Sequence, residues 1–108
     1  MNSNMMKEKN FISAVVYVHN ASKNIQSFLS MVNHCLRENF LKYEIICVND
    51  ASTDESVKKI KEFVASEAEN VVSVLNMSFY QGLEASMNAG VDLAIGDFVY
   101  EFDTTHAS

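Results

Sequence analysis

Two aspartates, Asp50 and Asp103, sit just past runs of β-branched and aromatic residues, Tyr43–Val48 and Phe98–Phe102. Carboxylates so placed can accept hydrogen bonds from a base imide or from ribose hydroxyls, or hold a hard divalent cation that bridges phosphates. Similar residues follow the other two apolar runs: His19-Asn20 after Phe11–Val18, and Asn76-Met77-Ser78 after Val71–Leu75. Almost every small polar or acidic residue without an evident packing role lies in one of these four places. A structural reading stands beside the chemical one, because Asp54, and to a lesser degree Asp50, could simply cap the next helix or tighten a turn.

Other chemistries find little support. No G-x-G-x-x-G follows the first apolar run and no G-x-x-x-x-G-K-[ST] occurs, so the usual dinucleotide fingerprint and the P-loop are both absent. The serines lack a G-x-S-x-G elbow. His19, His34 and His106 have no metal-ligand spacing, and His34 reads as a surface or boundary residue beside an apolar stripe. Cys35 and Cys47 lack a C-x-x-C or Cys/His pattern and read as small buried apolar residues. The charge balance is 8 Lys+Arg against 14 Asp+Glu, a net of −6. With no basic cluster, binding of nucleic acid through a broad positive face is excluded, whereas small anions can still be held by backbone amides.

The elements that position these residues follow from periodicity. Phe11–Val18 is almost continuously apolar, as suits a strand covered on both faces. From Ser22, the residues Ile25, Phe28, Leu29, Val32 and Leu36 form a helical stripe that ends near Asn39. Tyr43–Val48 is a second strand. Ser52-Thr53-Asp54-Glu55 has the S-x-x-E pattern of a capping box, with Val57, Ile60 and Val64 at helical spacing behind it. Val71–Leu75 is a third strand; Leu83, Met87, Val91 and Ala94 mark a third helix, which Gly96 is placed to end. Phe98–Phe102 is the fourth strand.

The order β-α-β-α-β-α-β predicts an α/β fold: an open, mainly parallel, doubly wound, Rossmann-like sheet with helices on both faces. In such sheets ligands bind outside the carboxyl ends of the strands, where the four polar clusters lie. The 108 residues and 48% hydrophobic content suit one small domain with a single core, and no run is long enough to cross a bilayer. Met1–Asn10 is polar where a signal peptide needs an apolar segment, so a reducing cytoplasm is expected, with residues 1–10 disordered and 11–108 folded. The chain stops just past a strand with no closing helix. It therefore reads as a truncated first half of a longer domain, whose uncovered sheet edge would favour a homodimer.

Four segments together carry a resemblance. Ile12–Asn20, Tyr43–Asp54, Gln81–Gly90 and Gly96–Asp103 are similar, in this order, to motifs of family 2 glycosyltransferases, and the match covers about residues 11 to 105. The resemblance implies a GT-A fold, a nucleotide diphosphate sugar as donor, with a UDP-linked sugar expected, a divalent cation (Mn or Mg), and inversion at the anomeric carbon. It implies that Asp50 contacts the nucleobase, that Tyr17, His19 and Asn20 line the same pocket, with Ser52 beside it, and that Asp103 touches ribose and the metal-bridged diphosphate. Gly82, Asn88 and Gly90 would lie beside the phosphates, although a glycine inside a helix has its own reading as a site of close helix–sheet packing.

The chain also departs from that pattern. Tyr17 stands where the family usually has Pro, His19 where it often has Tyr, Asn49 where the first of two acids is common, and Thr105 where D-x-D has its second acid. The resemblance places the catalytic base downstream of this chain, so no catalytic residue is assigned within it. The parent enzyme is expected to act in polysaccharide or glycolipid assembly, reaching a membrane only through segments outside this chain. The alternative is a non-catalytic nucleotide-binding module of glycosyltransferase-like fold. A receiver-like signalling domain would need a late strand-end Lys, and none follows Lys61.

Overall fold

The computed structural model describes residues 7–68 and 70–106. Four strands, β1 (Glu8–Val18), β2 (Phe40–Asn49), β3 (Val72–Asn76) and β4 (Phe98–Asp103), form one parallel sheet in the order β3-β2-β1-β4. Three helices connect them: α1 (Ile25–Asn39), α2 (Ser56–Glu67) and α3 (Leu83–Leu93). The chain builds outward from β1 to β3 and then crosses to the opposite side of β1 to lay down β4. The topological switch point is therefore the gap between β1 and β4.

β1 begins at Glu8, so Glu8–Asn10 belong to the sheet and not to a disordered segment, while residues 1–6 lie outside those described. The extension follows from pairing: Glu8 is in register with Phe40 at the start of β2, which itself begins three residues before the expected Tyr43.

Side-chain alternation along β1 divides the core in two. Ala14, Val16 and Val18 pack with Ile25, Leu29, Val32 and Leu36 of α1 and Ile60 and Phe63 of α2. Val15 and Tyr17 face the other way with Ile46, Val48 and Met87 of α3. Gly90 lets α3 approach that second face, because a Cβ there would sit 2.5 Å from Val15 Cγ1 and 2.6 Å from Val48 Cγ2. This is close helix–sheet packing, so Gly90 points into the core and not toward a ligand.

Three local expectations change. Ser52 and Glu55 do not form the capping box: the N-cap of α2 is Glu55, with no side-chain cap bond, and Asp54 just before it accepts from the Ser56 amide at 2.9 Å and the Ser56 hydroxyl at 2.6 Å through Oδ1. α3 ends at Leu93, and Gly96 does not cap it. A Cβ on Gly96 would meet Ser13 N at 2.7 Å and Phe11 O at 2.9 Å, so glycine is required there by contact with β1. Cys47 is buried as expected, its thiol pushed up to about 12 by burial, but Cys35 is exposed on α1.

A staple fixes β4 to β1 at this same end. Ser13 Oγ donates to Glu44 Oε2 at 2.6 Å and accepts from the Gly96 amide at 2.8 Å, while Ile95 N donates to the same Glu44 oxygen at 2.9 Å. Asp97 N donates to Phe11 O, and Phe11 N donates back to Asp97 Oδ2.

Candidate functional site

The parallel register makes the carboxyl ends of the strands flush. Val18 pairs with Asn49, Asn49 with Asn76, and Tyr17 with Asp103, so the four polar clusters meet along one edge of the sheet. At the switch point this edge opens into a crevice of about 590 Å³ lined by His19, Asn20, Ser22 and Lys23 on one side and Thr104 and Thr105 on the other. That is where the general rule for doubly wound sheets places a ligand.

Asn20 takes a left-handed φ of 50°, a conformation Asn tolerates, and its side chain turns back to accept from Thr53 N at 2.8 Å. Ser52 braces the same loop, accepting from Asn20 N at 2.9 Å. Asp54 Oδ2 accepts from Ser22 N at 3.0 Å. Burial raises the Asp54 carboxyl, but the hydrogen bonds from Ser56 and Ser22 outweigh it and bring it down to about 2. The loops after β1 and β2 are thus one hydrogen-bonded unit. Ala51 between them is held at φ 53°, a strained angle for a residue with a Cβ.

Asp50 is fully buried and does not line the crevice. Its Oδ1 accepts from Gln81 N at 2.7 Å, and its Oδ2 accepts from Gly82 N at 2.8 Å and from the Tyr17 hydroxyl at 2.7 Å. The carboxylate is the anion bound at the start of α3, where unpaired amides and the helix dipole favour negative charge. Burial alone would raise its pKa; the Tyr17 hydroxyl and the two amides hold it below the usual carboxylate range. Ser86 adds to that lowering, although its buried hydroxyl lies outside hydrogen-bond geometry with any partner. Tyr17 titrates far above its ordinary range through burial first and the Asp50 bond second.

Gly82 needs its glycine because φ is +92° there, and its amide is committed to Asp50. Asn49 bridges strands, donating from Nδ2 to Asn76 Oδ1 at 3.0 Å and accepting from Ser52 N at 3.2 Å. Asn88 is exposed on α3.

Asp103 ends β4, and its Oδ1 accepts from Thr105 N at 2.9 Å and Thr105 Oγ1 at 2.5 Å. Among the described residues no group of three or more His, Cys, Asp or Glu is placed to hold a metal ion. One carboxylate and a neutral hydroxyl are too few donors for a resident hard cation, so these residues alone do not fit one.

Two contributors were not visible as site residues in the sequence. Thr104 is buried, and its hydroxyl donates to Tyr17 O at 2.7 Å, tying the turn Thr104–His106 to the end of β1. Tyr80 packs its ring on His19 with centroids 4.9 Å apart. Neither residue has a periodicity or spacing that announces such a contact.

The open parallel α/β sheet is shared with GT-A fold glycosyltransferases. The mannosyltransferase PcManGT from Pyrobaculum calidifontis, solved with GDP-Man and Mn2+, superposes with a TM-score of 0.78 at 16% identity, covering 90% of this chain and 28% of its own. S. aureus TarS in complex with UDP-GlcNAc superposes with a TM-score of 0.70 at 22% identity, covering 90% of this chain and 26% of its own. The family description Glycosyl transferase family 2 matches residues 13–104, and the chain belongs to that family.

Curated relatives agree. An uncharacterized glycosyltransferase of Synechocystis sp. is 30% identical over 92 residues, and the undecaprenyl-phosphate 4-deoxy-4-formamido-L-arabinose transferase of Aeromonas hydrophila is 33% identical over 92 residues. Each alignment covers 85% of this chain and 28% of the relative, so the chain spans just over a quarter of their length. Among the described residues no helix is long and apolar enough to cross a membrane.

Proposed function

We propose that this chain is the donor-nucleotide-binding part of a glycosyltransferase that moves a sugar from a nucleotide diphosphate, UDP in the first instance, to an acceptor hydroxyl in polysaccharide or glycolipid assembly. The observation that carries the reading is the crevice of about 590 Å³ at the β1/β4 switch point of a family 2 sheet. In this reading His19 and Asn20 meet the nucleoside and Asp103 meets the ribose and diphosphate side. Tyr17, Asp50, Ser52 and Gly82 act one layer below, holding those loops in place.

Transfer itself needs an acceptor site and a base to take the acceptor's proton, which this reading places in the rest of the parent protein. The reading locates the parent in the cytoplasm, with any membrane face or second copy engaged through segments outside the crevice. Calorimetric titration with UDP and GDP tests it: the native chain should bind UDP weakly but saturably, and failure to bind either nucleotide would refute the reading.

A divalent cation enters this picture only with the donor diphosphate, with Asp103 as its single carboxylate from the chain. Mn²⁺ should therefore raise UDP affinity of the native chain by no more than about threefold, whereas Thr105→Asp, which supplies a second carboxylate, should raise the Mn²⁺-dependent gain to about tenfold. The same titrations with and without Mn²⁺ measure both gains. A large gain in the native chain would mean that other donors hold the ion. The thin donor set is also the observation favouring the second reading, a nucleotide-binding module without transferase activity, which turnover by the full-length protein would eliminate.

A further inference from the structure

We propose that a second cavity, at the amino ends of β1 and β4, is a binding site for the guanidinium group of a peptide-borne arginine. The cavity has a volume of about 530 Å³ and lies at the opposite end of the sheet from the switch-point crevice, with which it shares no residue. Three aromatic residues line it: Phe40 at the start of β2, and Phe98 and Tyr100 of β4. Phe40 and Tyr100 meet edge to face, with ring centroids 6.2 Å apart and planes at 67°, and so form an aromatic corner. Phe98 and Tyr100 remain 53% and 44% exposed, so much of their apolar area gains nothing from folding and is open to a ligand.

The polar part of the lining favours positive charge. Glu8 is an exposed carboxylate whose Oε1 accepts from Asn10 Nδ2 at 2.9 Å, and Asn39 Nδ2 donates to Cys35 O at 2.6 Å. Both asparagines thus spend an N–H on the chain itself and keep Oδ1 as an acceptor. Asn39 also closes α1, whose carboxyl end carries the negative pole of the helix dipole. No Lys or Arg lines the cavity, and Arg37 in the last turn of α1 lies outside it. A guanidinium suits all of these features, because its planar face stacks on aromatic rings while its edge donates to carboxylate and amide oxygens. The compact ammonium of lysine has no such face. Free arginine would bring an α-carboxylate beside Glu8 with no cation in the lining to balance it, whereas in a peptide that carboxylate is spent in an amide.

Magnetic resonance titration of the isotope-labelled chain with N-acetyl-arginine methylamide tests the assignment, which stands apart from the nucleotide reading. The lysine and citrulline analogues are titrated beside it, citrulline having the shape of arginine without its charge. The arginine probe should shift the amides of Phe40, Phe98 and Tyr100 saturably, and the citrulline probe should bind about tenfold more weakly. Glu8→Gln keeps an oxygen for Asn10, and Tyr100→Leu keeps apolar bulk without a π-face. Each should lose about threefold in affinity for the arginine probe, with thermal melts confirming that both variants fold. Citrulline or lysine binding as tightly as arginine would overturn the guanidinium assignment, as would native-like affinity in both variants or shifts confined to His19–Lys23. Tighter binding of free arginine than of the capped probe would overturn the peptide source.

Discussion

Asp50→Ala is expected to cost the fold about 3 kcal/mol or more, a large share of the roughly 5–15 kcal/mol that stabilises a typical domain. The carboxylate accepts from two backbone amides and a tyrosine hydroxyl in a fully buried position, and alanine would leave all three donors without a partner. Asp50→Asn keeps the shape but should still lose about 1–3 kcal/mol, because in either orientation its NH2 group opposes one of the two amides. Tyr17→Phe removes a donor and leaves the acceptor satisfied by the amides, so its cost should be nearer 1 kcal/mol. Urea unfolding of the three variants ranks them; an Asp50→Ala midpoint equal to that of Tyr17→Phe would show that the amides are not what the carboxylate holds.

The same group sets an acid limit. Asp50 and Asp54 are both depressed in the folded chain relative to the unfolded one. Stability from a depressed carboxylate is fully present above its unfolded pKa and is lost as pH falls through the folded one. The urea midpoint should therefore hold steady down to about pH 4 and fall below it. Asp50→Asn should flatten that fall, leaving the contribution of Asp54, whose folded value is about 2.

Gly96→Ala is the second substitution expected to be severe, at about 3 kcal/mol. Replacing Gly with Ala usually helps a chain by restricting its unfolded state, so the predicted sign is opposite to the usual one. The reason is local: the new methyl would lie within 2.9 Å of two backbone atoms of β1, Ser13 N and Phe11 O, and neither can rotate away as a side chain could. Relief requires the Ile95–Asp97 segment to lift off β1, breaking its bonds to Ser13, Glu44 and Phe11. Gly90→Ala meets only the γ-methyls of two valines, and alanine gains about 1 kcal/mol as a helix former, so its net cost should be smaller. Thermal melts of both variants separate the cases. A Gly96→Ala melt at or above native would show that the staple gives way without cost.

These two positions also mark how far the sequence can be read. Alternating apolar runs and helical stripes were enough for the parallel sheet, the helices on both faces and the polar edge, because each signal is local and the crossover rule supplies the rest. Asp50 was legible as a strand-end acid in the right neighbourhood. Whether its carboxylate turned outward depended on the amides of Gln81 and Gly82 and the Tyr17 hydroxyl, all 31 or more residues away, and nothing at position 50 encodes them. Gly96 carried a local signal for a helix end, but the contact that requires it lies 83 residues back at Ser13. The Ser52–Glu55 pattern failed because the Ser52 hydroxyl is engaged by the Asn20 amide and Asp54 takes the Ser56 amide ahead of the N-cap Glu55. Tyr80 and Thr104 had no pattern at all, since a ring contact and a hydroxyl bond across the sheet leave no period in the chain.

The route by which β4 reaches β1 also bears on the order of assembly. The staple from Ser13 to Glu44 spans 31 residues, whereas that from Phe11 to Asp97 spans 86, and the chain must close that longer loop before any β4 contact forms. β4 is also an edge strand with Phe98, Val99 and Tyr100 exposed. The β1-β2 pair at the centre of the sheet is therefore expected to form first and open last, with β4 detaching while that pair stays intact. In native-state hydrogen exchange the amides of Val99–Asp103 should exchange at lower free energy than those of Ala14–Val18 or Ile45–Asn49, and uniform exchange across all four strands would contradict this order. In that order of opening the wall of the crevice built on His19–Lys23 outlasts the wall built on Thr104 and Thr105.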